Sequence, residues 1–395
     1  MEKALSGIRV LGATRMLAGP YAEILLADMG AEVLHIELPG FGDEHRHSYP
    51  QINGVGTCFL SNNRNKKSIT LDLRTPEGQQ IFRDLAKISD IVVENNRPGT
   101  MAKWNIGYEQ LKEINPGIIM TSISGYGQTG PYRDRTGLDY VAQSIGGLMG
   151  MTGMPDGPPM RTGNAIADSL AGMFAAYGTL AALHYKQKTG LGQYVDCALV
   201  DSVAAILENL VPNYDLLGLK EKRVGNRIAW VAPYNTYTAR DGYVVIGVTS
   251  NNLWDKLCRA MGREELIEHP NFATPSARVL NVDDVDEAVQ AWVSHKTVEE
   301  VVLILAEAGV PSAKVHGVDT MVEDPQIKAR EMFVETEYPG LGKFRVPGIV
   351  PKLSLTPGSV DSPPPTLGQH NDEIYRGLLG FSDEKMKALA EAGII

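Results

Sequence analysis

Residues 8–37, IRVLGATRMLAGPYAEILLADMGAEVLHIE, contain the pattern that decides the fold. Residues 8–11 and 32–36 are two mainly apolar runs, and the segment between them has the signals of a helix. Pro20 stands near the start of that segment, where a helix does not need the N–H that proline lacks. Gly30 follows its last turn, where glycine commonly ends a helix. The stretch therefore predicts a strand, a helix and a second strand.

The same alternation continues through the first half of the chain. Helical patterns cover 76–86 and 168–185, and a further one is predicted over 200–210. Strands separated by helices pair in parallel through right-handed crossovers, so the sequence predicts an α/β fold with a mostly parallel sheet. The further strands are predicted at 68–73, 91–94, 117–124 and 194–199.

A different pattern begins near residue 225. Two apolar runs flank Arg240-Asp241-Gly242, which is typical of a β-hairpin. Three helical patterns and a short strand follow, and the tail ends in an amphipathic helix near 382–392. We therefore predict a large domain over 1–224, a small α+β domain over 225–330, and a segment 331–395 that returns to the large domain.

Composition excludes several classes of protein. The 395 residues include 37 Lys and Arg against 47 Asp and Glu, a formal net charge of −10. Nucleic acid binding requires a basic surface, so we expect no nucleic acid partner. Three widely spaced cysteines favour a reducing compartment. The apolar stretch near 165–183 contains Asp168 and many small residues, so we expect no membrane span and a cytoplasmic protein.

Neither a nicotinamide or flavin cofactor nor a metal is supported by the motifs. The loop after the first strand lacks GxGxxG, with Thr14 where the second glycine would approach a pyrophosphate. Glu37 alone, at the end of the second strand, is weak evidence for a ribose contact. None of the eight histidines is spaced as HxxxH or HExxH, so we expect no metal site.

Short motifs follow one another along nearly the whole chain. They are LSGIRVL at 5–11, AGPY at 18–21, GAEVLHIE at 30–37, NKKSITLDL at 65–73, ENNRPG at 94–99, SGYGQTGP at 124–131 and KTGLGQ at 188–193. In this order and spacing the chain resembles the class III CoA-transferases, the CaiB/BaiF family. The resemblance implies a formyl-CoA transferase-like fold: a Rossmann-like large domain, an inserted smaller α+β domain, and an interlaced homodimer.

Asp168 is the candidate nucleophile. It precedes a run of small residues at the predicted start of a helix, where an aspartate is commonly an N-cap whose anionic form is stabilised. The resemblance implies instead, or in addition, that Asp168 attacks the thioester of an acyl-CoA and passes CoA to a free carboxylic acid. We expect backbone N–H groups near this helix start to stabilise the oxyanion.

CoA carries phosphates, so an acidic protein needs local cations to bind it. The resemblance implies contacts with CoA or acyl-CoA through Arg15, Leu71, Arg74, Asn95, Asn96, Arg97 and Lys103. Without the resemblance, Arg74 and Lys103 would be ordinary helix surface.

The acyl pocket departs from that of the formyl-CoA transferases. Leu17 replaces their glutamine, and 224–237 contains no glycine run, which argues against formate or oxalate. We predict a larger and less polar acyl group, in a pocket formed by Leu17, Leu138, Asp139, Trp230 and Tyr234. Core packing explains Leu138 equally well, and Asp139 either orients the site or caps a helix.

Two alternatives stay open. The α-methylacyl-CoA racemases share the fold, but Leu138 stands in place of the histidine that they use as a base, and Thr238 in place of a glutamate. Leucine cannot move a proton, which argues against racemase chemistry. The second alternative is that the chain is a subunit of a heteromeric CoA-transferase. The retained Asp168 argues against a catalytically inactive subunit.

Overall fold

Six strands form one parallel sheet in the computed structural model, which describes residues 2–395. With a separate two-stranded pair between them, the strands in chain order are β1 (Arg9–Ala13), β2 (Glu32–Glu37), β3 (Gln51–Ile52), β4 (Val55–Gly56), β5 (Lys66–Thr70), β6 (Ile91–Glu94), β7 (Ile119–Ser124) and β8 (Tyr194–Ala198). The sheet order is β5-β2-β1-β6-β7-β8, that of a doubly wound α/β sheet. The predicted α/β class with a parallel sheet is confirmed.

Helices cover both faces of this sheet. The helices of residues 2–217 are, in chain order, α1 (Ala18–Asp28), α2 (Thr57–Asn62), α3 (Pro76–Lys87), α4 (Thr100–Lys103), α5 (Tyr108–Ile114), α6 (Asp139–Ile145), α7 (Leu148–Met151), α8 (Ile166–Thr189), α9 (Leu199–Ala204) and α10 (Leu210–Leu217). Helices α1 and α8 pack on one face, and α3 and α5 pack on the other. The single helix predicted over 200–210 is wrong: Glu208 adopts a left-handed φ of 51° between α9 and α10, which interrupts a helix.

Helix α8 crosses α1 closely because both contain small residues. A Cβ atom on Gly172 would lie 2.9 Å from the Ala18 carbonyl oxygen, so only glycine permits this approach. By length and composition α8 is the one described helix that qualifies as a membrane span. The core helix of a soluble protein passes the same test, and α8 buries nine residues against its neighbours, among them Leu170 and Leu183.

The middle of the chain forms a second unit around an antiparallel sheet of order β11-β10-β9. Its strands are β9 (Tyr234–Ala239), β10 (Gly242–Gly247) and β11 (Ser312–Lys314), and its helices are α11 (Asn251–Met261), α12 (Pro275–Leu280), α13 (Val282–Val293), α14 (Val298–Ala308) and α15 (Val318–Met321). The predicted hairpin around residues 240–242 is confirmed by the pairing of β9 with β10.

The boundaries of the two units differ from the domain boundaries predicted from the sequence. The second unit contains Met149–Met160 and Asn213–Asp324, whereas the sequence places a small domain over 225–330. Hydrogen bonds link Met149–Met160 to the rest of this unit, among them one from the Arg223 guanidinium to the Gly157 carbonyl at 2.8 Å. No local pattern in the sequence announces that contact.

The last part of the chain returns to the first unit. It contains α16 (Pro325–Ala329), β12 (Phe333–Tyr338), β13 (Gly342–Pro347), a π-helical segment (Asp372–Leu378) and α17 (Asp383–Glu391). Its residues His370 and Asn371 cover the edge strand β5. His370 Nδ1 accepts from the Ser68 N–H at 3.1 Å, and Asn371 Oδ1 accepts from the Thr70 N–H at 2.9 Å. These side chains bind backbone N–H groups of β5 that would otherwise be free to pair with another strand.

Charged residues are buried where α1 meets β1, β2 and β5. The Glu23 carboxylate of α1 accepts hydrogen bonds from Thr14 Oγ1 at 2.6 Å, His35 Nδ1 at 2.9 Å and Lys66 Nζ at 3.0 Å. Burial alone would raise the pKa of Glu23, but the charges of Lys66 and His35 outweigh it and lower the pKa to about 2. Burial opposes protonation of His35, yet the Glu23 charge prevails and raises the pKa of His35 to about 9.

A second buried ion pair lies beside the first. Glu37, at the end of β2, accepts two hydrogen bonds from the Arg46 guanidinium, at 2.6 and 2.7 Å, and one from Ser68 Oγ at 2.6 Å. Arg46 also donates to the Pro365 carbonyl at 3.1 Å, which fastens the C-terminal segment to the sheet. The role of Glu37 is therefore structural, and the weak suggestion of a ribose contact is not needed to explain it.

Substituting Lys66 tests how much the structure depends on this cluster. Lys66→Met removes the ammonium group from Glu23, from the Pro20 carbonyl and from Asn63 Oδ1. Breaking a buried ion pair costs about 3–5 kcal/mol, so we expect urea unfolding to show a decrease of that size in the free energy of unfolding. The control Lys87→Met removes an exposed pair with Asp84 and should cost less than about 1 kcal/mol. Equal losses in the two variants would contradict the importance of the cluster.

Candidate active site

Asp168 is not the N-cap of the helix that carries it. Helix α8 begins at Ile166, and Asp168 is its third residue, with no capping hydrogen bond from its own side chain. Asp139 Oδ1, from the start of α6, accepts the Ala167 N–H at 2.7 Å and the Asp168 N–H at 3.4 Å. The N-cap interpretation of Asp168 is therefore wrong, because Asp139 satisfies these N–H groups instead.

Asp139 is itself held in place. Its Oδ2 accepts from Gln143 Nε2 at 2.7 Å, and the fully buried Gln143 accepts from the Thr162 N–H at 3.0 Å. The start of α6 thus fixes both the beginning of α8 and the loop before it. Glycines bring α6 to this position, since a Cβ on Gly125 would lie 2.6 Å from Gly137 Cα.

The same contacts limit where an oxyanion can be stabilised. Asp139 accepts from the Ala167 and Asp168 N–H groups, and the Ser169 N–H donates to the Ala165 carbonyl. The Ala167, Asp168 and Ser169 amides already have acceptors, so the expectation that N–H groups near this helix start stabilise an oxyanion stays a prediction for the other amides there.

The electrostatics of Asp168 differ from those of a capping aspartate. Burial is the largest cause of the shift, and the nearby Asp139 charge adds to it, so that the pKa of Asp168 is raised to about 7. The anionic form is thus less favoured than the helix terminus alone would make it. Among residues 2–395, no group donates a hydrogen bond to the Asp168 carboxylate, which leaves both oxygens available for a reaction.

Cys58 lies within the electric field of Asp168. Burial raises the pKa of the Cys58 thiol, and the charges of Asp43 and Asp168 raise it further. The thiol is therefore protonated near neutral pH and is not an activated nucleophile.

Four of the predicted CoA-binding residues line one cleft. The cleft has a volume of about 210 Å³ and lies at the carboxyl ends of β1, β2 and β5, beside the point where the strand order reverses. Ligands of open α/β sheets bind at this place. The four residues are Arg15, Leu71, Arg74 and Asn96.

The cations of the cleft are paired with carboxylates. Arg74 donates to Asp72 through Nε at 2.8 Å and Nη2 at 2.7 Å, and Arg15 Nη1 lies 3.3 Å from Glu44 Oε1. Asn95 bonds the Arg15 backbone, accepting from its N–H at 3.0 Å and donating to its carbonyl at 2.7 Å. Asn95 therefore positions Arg15 and does not itself line the cleft.

The other two predicted CoA-binding residues lie elsewhere. Arg97 is exposed and lines a separate cavity with Glu94 and Ser122. Lys103 is exposed at the end of α4. The sequence did not predict several residues that line the cleft, although some lie inside the motifs at 30–37 and 65–73: Thr14, Ile36, Leu38, Phe41, Asp43, Asp72, Leu73 and Trp104. Glu37, which the sequence offered only as weak evidence for a ribose contact, also lines it.

The predicted acyl-pocket residues divide between the two units. Leu17 is half-buried directly before α1, and Leu138 is 63% exposed directly before α6, so packing into the core does not explain Leu138. Trp230 and Tyr234 lie in the second unit and are exposed, with the Tyr234 ring next to Gly247. In the part of the chain that the structure describes, no three His, Cys, Asp or Glu residues are grouped to hold a metal ion.

Comparisons with known proteins agree with the motifs. The family model described as CoA-transferase family III matches residues 5–371. The chain is 42% identical to a succinyl-CoA–D-citramalate CoA-transferase of Chloroflexus aurantiacus, over 100% of this chain and 98% of the relative. It is 38% identical to the beta subunit of a succinyl-CoA–L-malate CoA-transferase of the same organism, over 99% of this chain and 98% of the relative.

A solved structure supports the same conclusion. The crystal structure of a CaiB/BaiF family protein from Brucella suis superposes with a TM-score of 0.86 at 35% identity, over 96% of this chain and 100% of that chain. With the family model it accounts for nearly the whole sequence. The chain therefore belongs to CoA-transferase family III, the CaiB/BaiF family, and is a CoA-transferase.

Proposed function

We propose that the protein transfers CoA from succinyl-CoA to a second dicarboxylic acid, with Asp168 as the nucleophile. The relatives that are named for succinyl-CoA, citramalate and malate support this choice of donor and acceptor. The observation that carries the catalytic assignment is the Asp168 carboxylate itself. It is half-buried and accepts no hydrogen bond from residues 2–395, and its backbone is fixed by Asp139.

The proposed reaction begins with attack of a carboxylate oxygen of Asp168 on the thioester carbonyl carbon. The C–S bond breaks, the CoA thiolate leaves, and the acyl group and Asp168 form an anhydride. The thiolate then attacks the Asp168 carbonyl carbon, the donor acid leaves as its carboxylate, and an aspartyl-CoA thioester remains. No proton is gained or lost in either step.

The second half repeats these steps in reverse with the acceptor. The acceptor carboxylate attacks the aspartyl thioester and expels the thiolate, and the thiolate attacks the acceptor carbonyl and frees Asp168. Both intermediates react with water, so a partly buried carboxylate is an advantage. A raised pKa also makes Asp168 a stronger nucleophile once it is ionised.

CoA is proposed to bind in the cleft lined by Arg15, Leu71, Arg74 and Asn96. Its phosphates would compete with Asp72 for Arg74, as both are anions that suit the guanidinium fork. Asn95 acts through Arg15, and Lys103 is proposed to contribute as an exposed cation after β6. Arg97, which resemblance also predicted to bind CoA, lines a separate cavity, so we do not assign it to CoA.

The acyl pocket stays a prediction from resemblance, with Leu17, Leu138, Asp139, Trp230 and Tyr234 as its residues. A succinyl group fits the predicted larger size, but its free carboxylate does not fit the predicted lower polarity, so we do not keep that part of the prediction. The contacts of Asp139 favour a positioning role for it over direct contact with the acyl group. Leu138 is exposed and aliphatic, so it supplies no base for the racemase alternative. Uptake of deuterium at the acyl α-carbon without an acceptor acid would revive that alternative.

An interlaced homodimer in the cytoplasm is the proposed form of the enzyme. Exposed apolar residues of α8, among them Met173, Tyr177 and Leu180, line an apolar groove that a second copy would cover. The three free thiols support a reducing compartment. Since one relative is named as a subunit, a heteromeric enzyme is the alternative, and transfer by the purified chain alone would exclude it.

Asp168→Asn tests the nucleophile. The variant keeps the shape of the side chain but cannot form an anhydride, so we expect transfer from succinyl-CoA to fall at least about a thousandfold. Circular dichroism and the apparent mass in solution should not change. The control Asp156→Asn alters an exposed turn and should keep full activity. Substantial transfer by purified Asp168→Asn would overturn the assignment.

Asp139→Asn tests whether the Asp139 charge tunes Asp168. Asparagine still offers an oxygen to the Ala167 N–H, but it removes the negative charge that raises the pKa of Asp168. Because Asp168 attacks in its ionised form, the acidic limb of the pH–rate profile should move to lower pH. Asp139→Ala should in addition lose about 1 kcal/mol of stability, as a lost helix cap does. An unchanged pH–rate profile in Asp139→Asn would contradict the tuning role.

Arg74→Gln tests the cleft as the CoA site. Charge-assisted hydrogen bonds contribute about 1.5–3 kcal/mol, so KM for succinyl-CoA should rise about tenfold or more while kcat changes little. The matched control is Arg83→Gln, a half-buried arginine of α3 that bonds Gln80 and the Asn105 carbonyl outside the cleft and should leave KM unchanged. Equal KM values in wild type and Arg74→Gln would place the CoA phosphates elsewhere.

A further inference from the structure

A second polar cavity has a lining that shares no residue with the CoA cleft. Its volume is about 380 Å³, and it lies beside β6, β7 and the start of β8. Met101 and Met120, which form part of its wall, belong to the core layer on the face covered by α3 and α5, not by α8. The cavity is therefore distinct from the position of Asp168.

Polar groups at the base of this cavity lack partners. Ser122 is 0% exposed, and its Oγ lies close enough to Glu94 and Tyr194 to lower their pKa values, but it makes no hydrogen bond of normal length to any described residue. The buried Gln128 Nε2 likewise has no hydrogen-bond partner among the described residues. Glu94 is 4% exposed and uses Oε2 to accept from the Asn96 N–H at 2.7 Å. Buried polar atoms without hydrogen-bond partners are rare because they destabilise the fold, so their occurrence together in this lining is a signal of a ligand site.

The charges around the cavity favour an anion. Arg97 and Arg133 line it, and within residues 2–395 Arg97 has no ion-pair partner, whereas Arg133 lies 3.6 Å from Asp134. Burial raises the pKa of Glu94 to about 7, against the opposing effects of Ser122 and Asn96. Near neutral pH, Glu94 is therefore partly protonated and can donate a hydrogen bond.

The remaining ionisable groups near Glu94 are few. Asp196 of β8 raises its pKa further, while Glu109 of α5 and the Tyr194 phenol also line the cavity. Burial raises the pKa of Tyr194 to about 12, so its hydroxyl stays a donor. The lining thus offers hydrogen-bond donors from the two arginines and from the buried polar side chains, and it also contains Met101 and Met120.

We propose that this cavity is a binding site for a short-chain dicarboxylate, separate from the transfer site. One carboxylate would pair with Arg97 and Arg133, and the other would accept from Ser122, Gln128 and protonated Glu94. The methionines would pack on the carbon chain. The choice of a dicarboxylate that also takes part in the reaction depends on the proposed function. The existence of the binding site depends only on the residues that line the cavity.

The test is isothermal titration of the wild-type protein with succinate, without acyl-CoA. Arg133→Gln and Ser122→Val should each weaken succinate binding about tenfold. The control Arg135→Gln removes a neighbouring arginine that stacks on Tyr132 instead of lining the cavity, and it should bind as wild type does. Succinamide, which has no charge, should not bind.

Two further measurements separate this site from the transfer reaction. Binding should strengthen as the pH falls from 8 to 6, because Glu94 becomes protonated, and it should persist in Asp168→Asn. Unchanged binding in both Arg133→Gln and Ser122→Val, or competitive displacement of succinate by free CoA, would overturn the proposal. Either result leaves the proposed function intact, since that depends on loss of transfer in Asp168→Asn.

Discussion

The buried Glu23 carboxylate is the interaction on which most of the first unit depends. It joins α1 to strand β5 through Lys66 and to strand β2 through His35. A charge in this position is stable only because every neighbour neutralises or hydrogen-bonds it. Helix α1, fixed in this way, is the surface against which α8 packs at Gly172. The loops at the carboxyl ends of the same strands form the cleft proposed for CoA.

Catalysis then depends on how the start of α8 is held. Asp139 accepts hydrogen bonds from the first N–H groups of this helix, so the Asp168 carboxylate is not needed as a cap and has no hydrogen-bond donor in the described part of the chain. Asp139 also places a second negative charge near Asp168. A helix terminus would normally favour ionised Asp168, and burial with Asp139 opposes that effect. The balance suits a carboxylate that must attack a thioester and later leave from an anhydride. One residue thus supplies both position and electrostatics.

Local patterns predicted part of this structure, and contacts between distant residues explain the rest. The alternation of 8–37 and the hairpin at 240–242 were predictable, because strand and helix periods and turn residues are local properties. The strand order, the link from Arg223 to Gly157, and the cap of α8 by Asp139 were not, since folding alone brings these residues together. Nor does a lone Glu94 in a motif reveal that its carboxyl is buried beside a cavity.

The central claim is that CoA passes through Asp168, and trapping the intermediate tests it most directly. The purified protein is mixed with succinyl-CoA without an acceptor acid, quenched in acid, digested and analysed by mass spectrometry. The account predicts a CoA adduct on the peptide that contains Asp168, lost when an acceptor acid is added and missing from Asp168→Asn. Steady transfer with no adduct, or with an adduct on another residue, would contradict it.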